Sequence, residues 1–170
     1  MRLMAATVFG LAAGWTVLAM VAKPQGNAIL GLWTTEDGRA RIAIVEDKGV
    51  YSGTIVWLKE PTYTADDAEA GQPRHDRHNP DPAKQHRPIL GLALIEGFVF
   101  DGDGTWVNGT IYDPENGKTY KCKLTLVESD KLHVRGYIGF SLIGRTTVWT
   151  RYNVESNPKE KQRPIEKPAS

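Results

Sequence analysis

Residues 109–126 read GTIYDPENGKTYKCKLTL, and their centre, Asp113 to Gly117, has two interpretations: a carboxylate-rich metal loop or the tip of a β-hairpin. Asp favours the first position of a turn, Pro presets φ at the next, and Asn-Gly supplies the positive φ that reverses the chain. Each residue of the knot therefore has a conformational task. The strands on either side, TWVNGTIY (105–112) and KTYKCKLTLV (118–127), alternate apolar and polar residues. The period of this protein is two rather than 3.6.

Working outward, the same period returns with short turns between the runs. GLWTT (31–35), RARIAIVE (39–46) and VYSGTIVWL (50–58) precede the hairpin, together with ILGLALIE (89–96) and GFVFD (97–101), between which Gly97 marks a bend. KLHVRGYI (131–138) and RTTVWTRY (145–152) follow it. Eight or nine short strands without helical crossovers predict an all-β fold, an antiparallel up-and-down barrel that closes to remove its edges. A two-layer sandwich is the alternative. The turn DGDG at 101–104 invites a calcium reading, but an EF-hand needs glycine at its sixth position and glutamate at its twelfth. Trp106 and Tyr112 stand there.

The barrel predicted for residues 29–152 follows a first stretch, 1–28, with the layout of a secretory leader: Arg2, then no charge until Lys23. The small-x-small motif Gly26-Asn27-Ala28 predicts cleavage before Ile29, while the length from Leu3 to Ala22 also suits an uncleaved anchor, the sequence's one route to a membrane. Export makes the protein periplasmic or secreted. The chain carries 21 basic and 20 acidic residues, and losing Arg2 and Lys23 tips it slightly acidic. Such balance speaks against nucleic acid as a partner. The one cysteine, Cys122, excludes an internal disulfide and alternates with Tyr120 and Leu124 as a buried hydrophobe does. Residues 153–170 mix both charges with three prolines and read as a disordered tail.

Alternation assigns interior positions to Ile42, Ile44, Tyr51, Ile55, Trp57, Tyr120, Leu124, Leu126, Leu132 and Val134. These residues either line a site for a small apolar ligand or lipid or fill the interior completely, leaving a structural or interaction protein. The long segment 59–88 interrupts the strands with prolines at 61, 73, 80, 82 and 88. Its turn residues Asn79 and Asp81, with Arg87 pairing a carboxylate such as Asp81, either pin it as a lid over the barrel mouth or pack it against the barrel's outer wall. It also gathers His75, His78 and His86 near Asp76 and Asp81, the material of a metal-assisted enzyme, though their spacing matches no zinc signature. Ser52 and Ser141 lack a nucleophile elbow, and no cofactor motif occurs.

Three pieces, Asn79-Pro80-Asp81, Arg87-Pro88 to Gly91, and IYDPENGKTY (111–120), make the span Gly31 to Arg151 resemble the bacterial exported family DUF2147, a domain of unknown function. The resemblance implies a periplasmic or secreted β-barrel and transfers no catalytic residue. The cysteine pair many members carry is replaced here by Ser52-Gly53 and Ser141 to Ile143. Gly31-Leu32-Trp33 and Arg151 are also similar to the Gly-x-Trp and closing Arg of lipocalin-like barrels. There the guanidinium covers the indole, and the resemblance implies that Arg151 locks the last strand to the first.

Overall fold

A computed structural model describes residues 25–139 and 143–153; the expected leader up to residue 24, Ser141 and the tail from residue 154 lie outside the described residues. Eight strands run in order: β1 (Gly31–Thr34), β2 (Ala40–Asp47), β3 (Val50–Leu58), β4 (Ala93–Gly102), β5 (Thr105–Asp113), β6 (Lys118–Glu128), β7 (Lys131–Tyr137) and β8 (Gly144–Arg151). Each pairs antiparallel with the next, and β8 returns to β1 through Trp33 opposite Arg151 and Thr34 opposite Thr150. The sheet is a closed up-and-down barrel. Gly97 bends the chain at φ 77° without ending the strand, so the two expected runs around it are one, and the count is eight. Among the described residues no helix is long and apolar enough to cross a membrane.

The turn chemistry at Asp113–Gly117 accounts for its polar atoms. Asp113 accepts from the Glu115 amide at 2.9 Å and from Asn116 Nδ2 at 2.7 Å, while Asn116 Oδ1 accepts from the Lys118 amide at 2.9 Å. The carboxylate of Asp113 closes the hairpin. Among the described residues no group of three or more metal-binding side chains forms.

One end of the barrel is closed by large side chains. Trp33, Trp106 and Phe98 are fully buried with Ile42, Leu124 and Leu132, and each such burial contributes roughly 1.5–3 kcal/mol. The Arg151 guanidinium lies 4.3 Å from the Trp33 ring centre and donates to the carbonyls of Leu30 (2.8 Å), Ala28 (2.6 Å) and Ser129 (2.8 Å). Burial pulls it below arginine's ordinary value, and these carbonyls offset the desolvation. Trp33 Nε1 donates to Ile29 O at 2.8 Å. Thus the 3-10 turn Gly26–Ile29 caps this end, and the small-x-small motif assigns its first three residues, Gly26 to Ala28, to the leader.

Trp57 departs from the expected interior set. Arg41 pairs with Trp57, yet the next residue, Ile42, pairs with Ile55, so Val56 is an extra residue in β3. A bulge of this kind shifts the phase by one. Ile55 stays inside, and Trp57 turns to the outer wall. There the Arg41 guanidinium stacks 4.1 Å from Trp57 and 3.7 Å from Tyr152.

Candidate functional site

The other end of the barrel is not filled. A cavity of about 1000 Å³ opens there between Ile55, Leu58, Leu94, Ile111, Val134 and Trp149, beneath the segment that joins β3 to β4. An eight-stranded barrel is narrow enough for side chains to occupy its whole interior, so the space needs a cause. Gly136 is one. It faces the lumen, where an added Cβ would sit 3.5 Å from Ile111 Cγ2 and 3.8 Å from the Cβ of Tyr120, both ordinary contacts. Nothing in the packing demands a glycine there, and its missing side chain leaves the volume open.

Of the interior candidates, Ile55, Tyr120 and Val134 reach this cavity. Ile42, Ile44, Tyr51, Leu124 and Leu132 are buried in the core, where the half-buried Leu126 packs against them, and none of the six lines the cavity. The interior is therefore divided into a packed half and an open half. Trp149 and Ile111 also line the cavity, and alternation carried that signal, because they pair with the inward Leu132 and Tyr120.

The β3–β4 segment is folded over this mouth. Its short bridges join Thr62 to Pro73 and His75 to Pro88. Its anchor is Asp76, which is fully buried. Oδ1 accepts from the Tyr112 hydroxyl at 2.6 Å; Oδ2 accepts from Asn79 Nδ2 at 2.7 Å and from Arg87 Nε at 2.9 Å, with Arg87 Nη2 also at 2.9 Å. Burial first, then the bond to Asp76, pushes the Tyr112 phenol up and keeps it a donor.

Arg87 pairs with a carboxylate, but that carboxylate is Asp76 and not Asp81, the example the sequence offered. Asp81 instead caps the 3-10 turn Pro82–Lys84 by accepting from the Ala83 amide at 3.1 Å. Directly after the rigid Asn79-Pro80, its side chain is held on the turn. Asp76 is three residues before Asn79, and the backbone bond from its amide to Arg87 O (2.9 Å) brings it alongside Arg87. Asn79 accepts from the Asp81 amide at 2.9 Å, the local bond the turn requires.

The hairpin that opened the sequence question receives this loop. Gly117 holds φ +70°, and a Cβ there would fall onto the carbonyl of His78. Only glycine serves both needs at once. Asn79-Pro80-Asp81 and Asp113–Gly117 are thus two halves of one contact, far apart in the chain.

The span from residue 31 to residue 151 matches the family described as an uncharacterised protein conserved in bacteria, DUF2147. The chain belongs to that family. No curated protein matches it. A solved structure similar to this DUF2147 barrel is HP1028 from the human pathogen Helicobacter pylori, which belongs to the lipocalin family. The two share 18% identity with a TM-score of 0.65 over 81% of this chain and 91% of that one, a likeness of fold.

In this DUF2147 domain the histidines do not converge on a free coordination site. His75 Nδ1 lies 2.7 Å from Gln85 O and Nε2 lies 3.0 Å from Glu69 Oε1, so both ring nitrogens are engaged. The Glu69 carboxylate, then the Gln85 carbonyl, pushes His75 above its ordinary value. Both partners are acceptors, and only the imidazolium donates to both. The His86 ring is 6.0 Å from that of His75, and His78 contributes its carbonyl to the Gly117 contact. Sequence proximity grouped these residues; of the three, His75 is tied into the roof by its hydrogen bonds.

Proposed function

We propose that this domain is an exported binding protein that holds a small, mostly apolar molecule in the open half of its barrel. The observation that carries the reading is the cavity of about 1000 Å³, at the upper end of the range of small-molecule sites, with a lumen walled by apolar side chains and charged residues at its mouth. A barrel serving only as a scaffold gains by filling such space, since each unfilled methyl-sized void costs about 1 kcal/mol. Export rests on Arg2 and the uncharged run to Lys23. N-terminal sequencing of protein from its own periplasm assigns the cut; a terminus at Ile29 would deprive Arg151 of the Ala28 carbonyl.

The test is a titration with a polarity-sensitive naphthylamine fluorophore, using the full chain and Gly136→Leu. The leucine fills the lumen without backbone strain. We expect wild type to bind the dye and Gly136→Leu to bind it at least about tenfold more weakly, a loss of about 1.4 kcal/mol, with thermal stability equal to or above that of wild type. Equal binding by the two proteins, or none by either, removes the reading.

A further inference from the structure

We infer that the molecule held in this cavity is an amphiphile with an anionic head, its tail in the lumen and its carboxylate-like group at Arg74. This rests on the apolar-cavity reading above and adds a ligand class to it. The mouth carries acids and bases in similar number, so the sign of its surplus is decided by which charges already have partners.

The acids are engaged. Glu36 accepts from the Val148 amide at 3.3 Å, and Asp37 accepts from Thr35 Oγ1 at 2.7 Å and from the Arg39 amide at 3.0 Å. Asp113 closes its hairpin, and Glu115 pairs with Arg39 at 2.9 Å. The remaining acid of the mouth, Glu60, has one long ion pair, 3.7 Å to Arg74 Nη2.

The cations are not all engaged. Arg77 is saturated by Asp67, with bonds of 2.9 and 3.1 Å, and by Glu69 at 3.4 Å. Arg74 differs from it. Beyond the long pair with Glu60, its guanidinium rests 5.5 Å from the Tyr63 ring centre, and its Nε is buried without any acceptor. The Arg74 side chain is 28% exposed, so its terminal nitrogens, weakly matched by the long pair with Glu60, are the donors an incoming oxyanion would meet. Arg145, also on this cavity, has no side-chain partner among the described residues. Spare donors above an apolar lumen fit an acid with a hydrocarbon tail better than a neutral or cationic molecule of the same length. Arginine's planar fork suits such a head.

The experiment is calorimetric titration of the full chain with dodecanoic acid, dodecanol and dodecylamine, repeated with Arg74→Met and Arg74→Lys. In wild type the acid should bind at least about tenfold more tightly than the alcohol, the scale of one charge-assisted bond, with the amine weakest. Arg74→Met should bring the acid down to the level of the alcohol and leave the alcohol unmoved, while Arg74→Lys retains part of the preference. Acid and alcohol binding equally to wild type would overturn the anionic head and leave the cavity reading intact. Parallel loss of acid and alcohol in Arg74→Met would assign Arg74 to the roof's structure and likewise overturn it. Failure of all three probes on wild type would remove the cavity reading as well.

Discussion

Replacing Asp76 with alanine should release the roof while leaving the barrel closed. The lost interactions can be counted: one bond from Tyr112, one from Asn79, and the forked approach of Arg87. Bonds to a charged acceptor contribute about 1.5–3 kcal/mol each when buried. The Arg87 share must be discounted, because its side chain is 41% exposed and water replaces the carboxylate there. Tyr112 and Asn79 also retain each other at 3.1 Å. The net loss is about 3 kcal/mol, which corresponds to a rise of about a hundredfold in the population of the open loop. Hydrogen exchange reads this directly at the amides of Asp76, Asn79 and Ile89, all bonded within the roof. The β6 and β7 amides should keep their protection if the roof opens as its own unit. Asp81→Ala is the internal comparison, since it removes only a cap worth about 1 kcal/mol. If Asp76→Ala exchanges within threefold of wild type (roughly 0.7 kcal/mol), or no faster than Asp81→Ala, the assignment of Asp76 as anchor would be refuted.

Two further outcomes follow from titrating groups. His75 is raised above its ordinary 6.5, so its contribution to the roof is complete below that value and is lost as pH rises through the folded value. Loop exchange, corrected for intrinsic rates, should therefore accelerate as pH climbs past about 6.5, and Glu69→Gln should flatten the dependence; an unchanged profile in that variant would discount the pair. Desolvation pushes the Cys122 thiol up to about 12, so iodoacetamide at neutral pH should leave the folded protein unlabelled and modify it only on unfolding. Rapid labelling of native protein would show the thiol to be accessible.

The alternation of Ile42, Ile44, Leu124, Leu132 and Val134, together with the Asp-Pro-Glu-Asn-Gly turn, specified an antiparallel all-β meander and favoured a barrel over a sandwich, which the closing pairs of β8 with β1 decided. Side-chain period and turn chemistry are local properties, and they are written in neighbouring residues. Trp57 escaped that logic because a single extra residue, Val56, reverses the phase, and no local signal separates a bulge from a regular strand of the same composition. The roof escaped it for a related reason. Asp76, Asn79, Arg87 and Tyr112 are all visible as polar residues, but which carboxylate meets Arg87 depends on burial and on a strand from elsewhere in the chain. The same holds for the cavity. Sequence named residues that point inward, whereas the division between a packed floor and an open mouth depends on how Gly136, Ile111 and Trp149 meet across strands. Volume left empty belongs to the assembled barrel, since no residue alone carries it, and only the tertiary structure could decide that part of the interior was left unfilled.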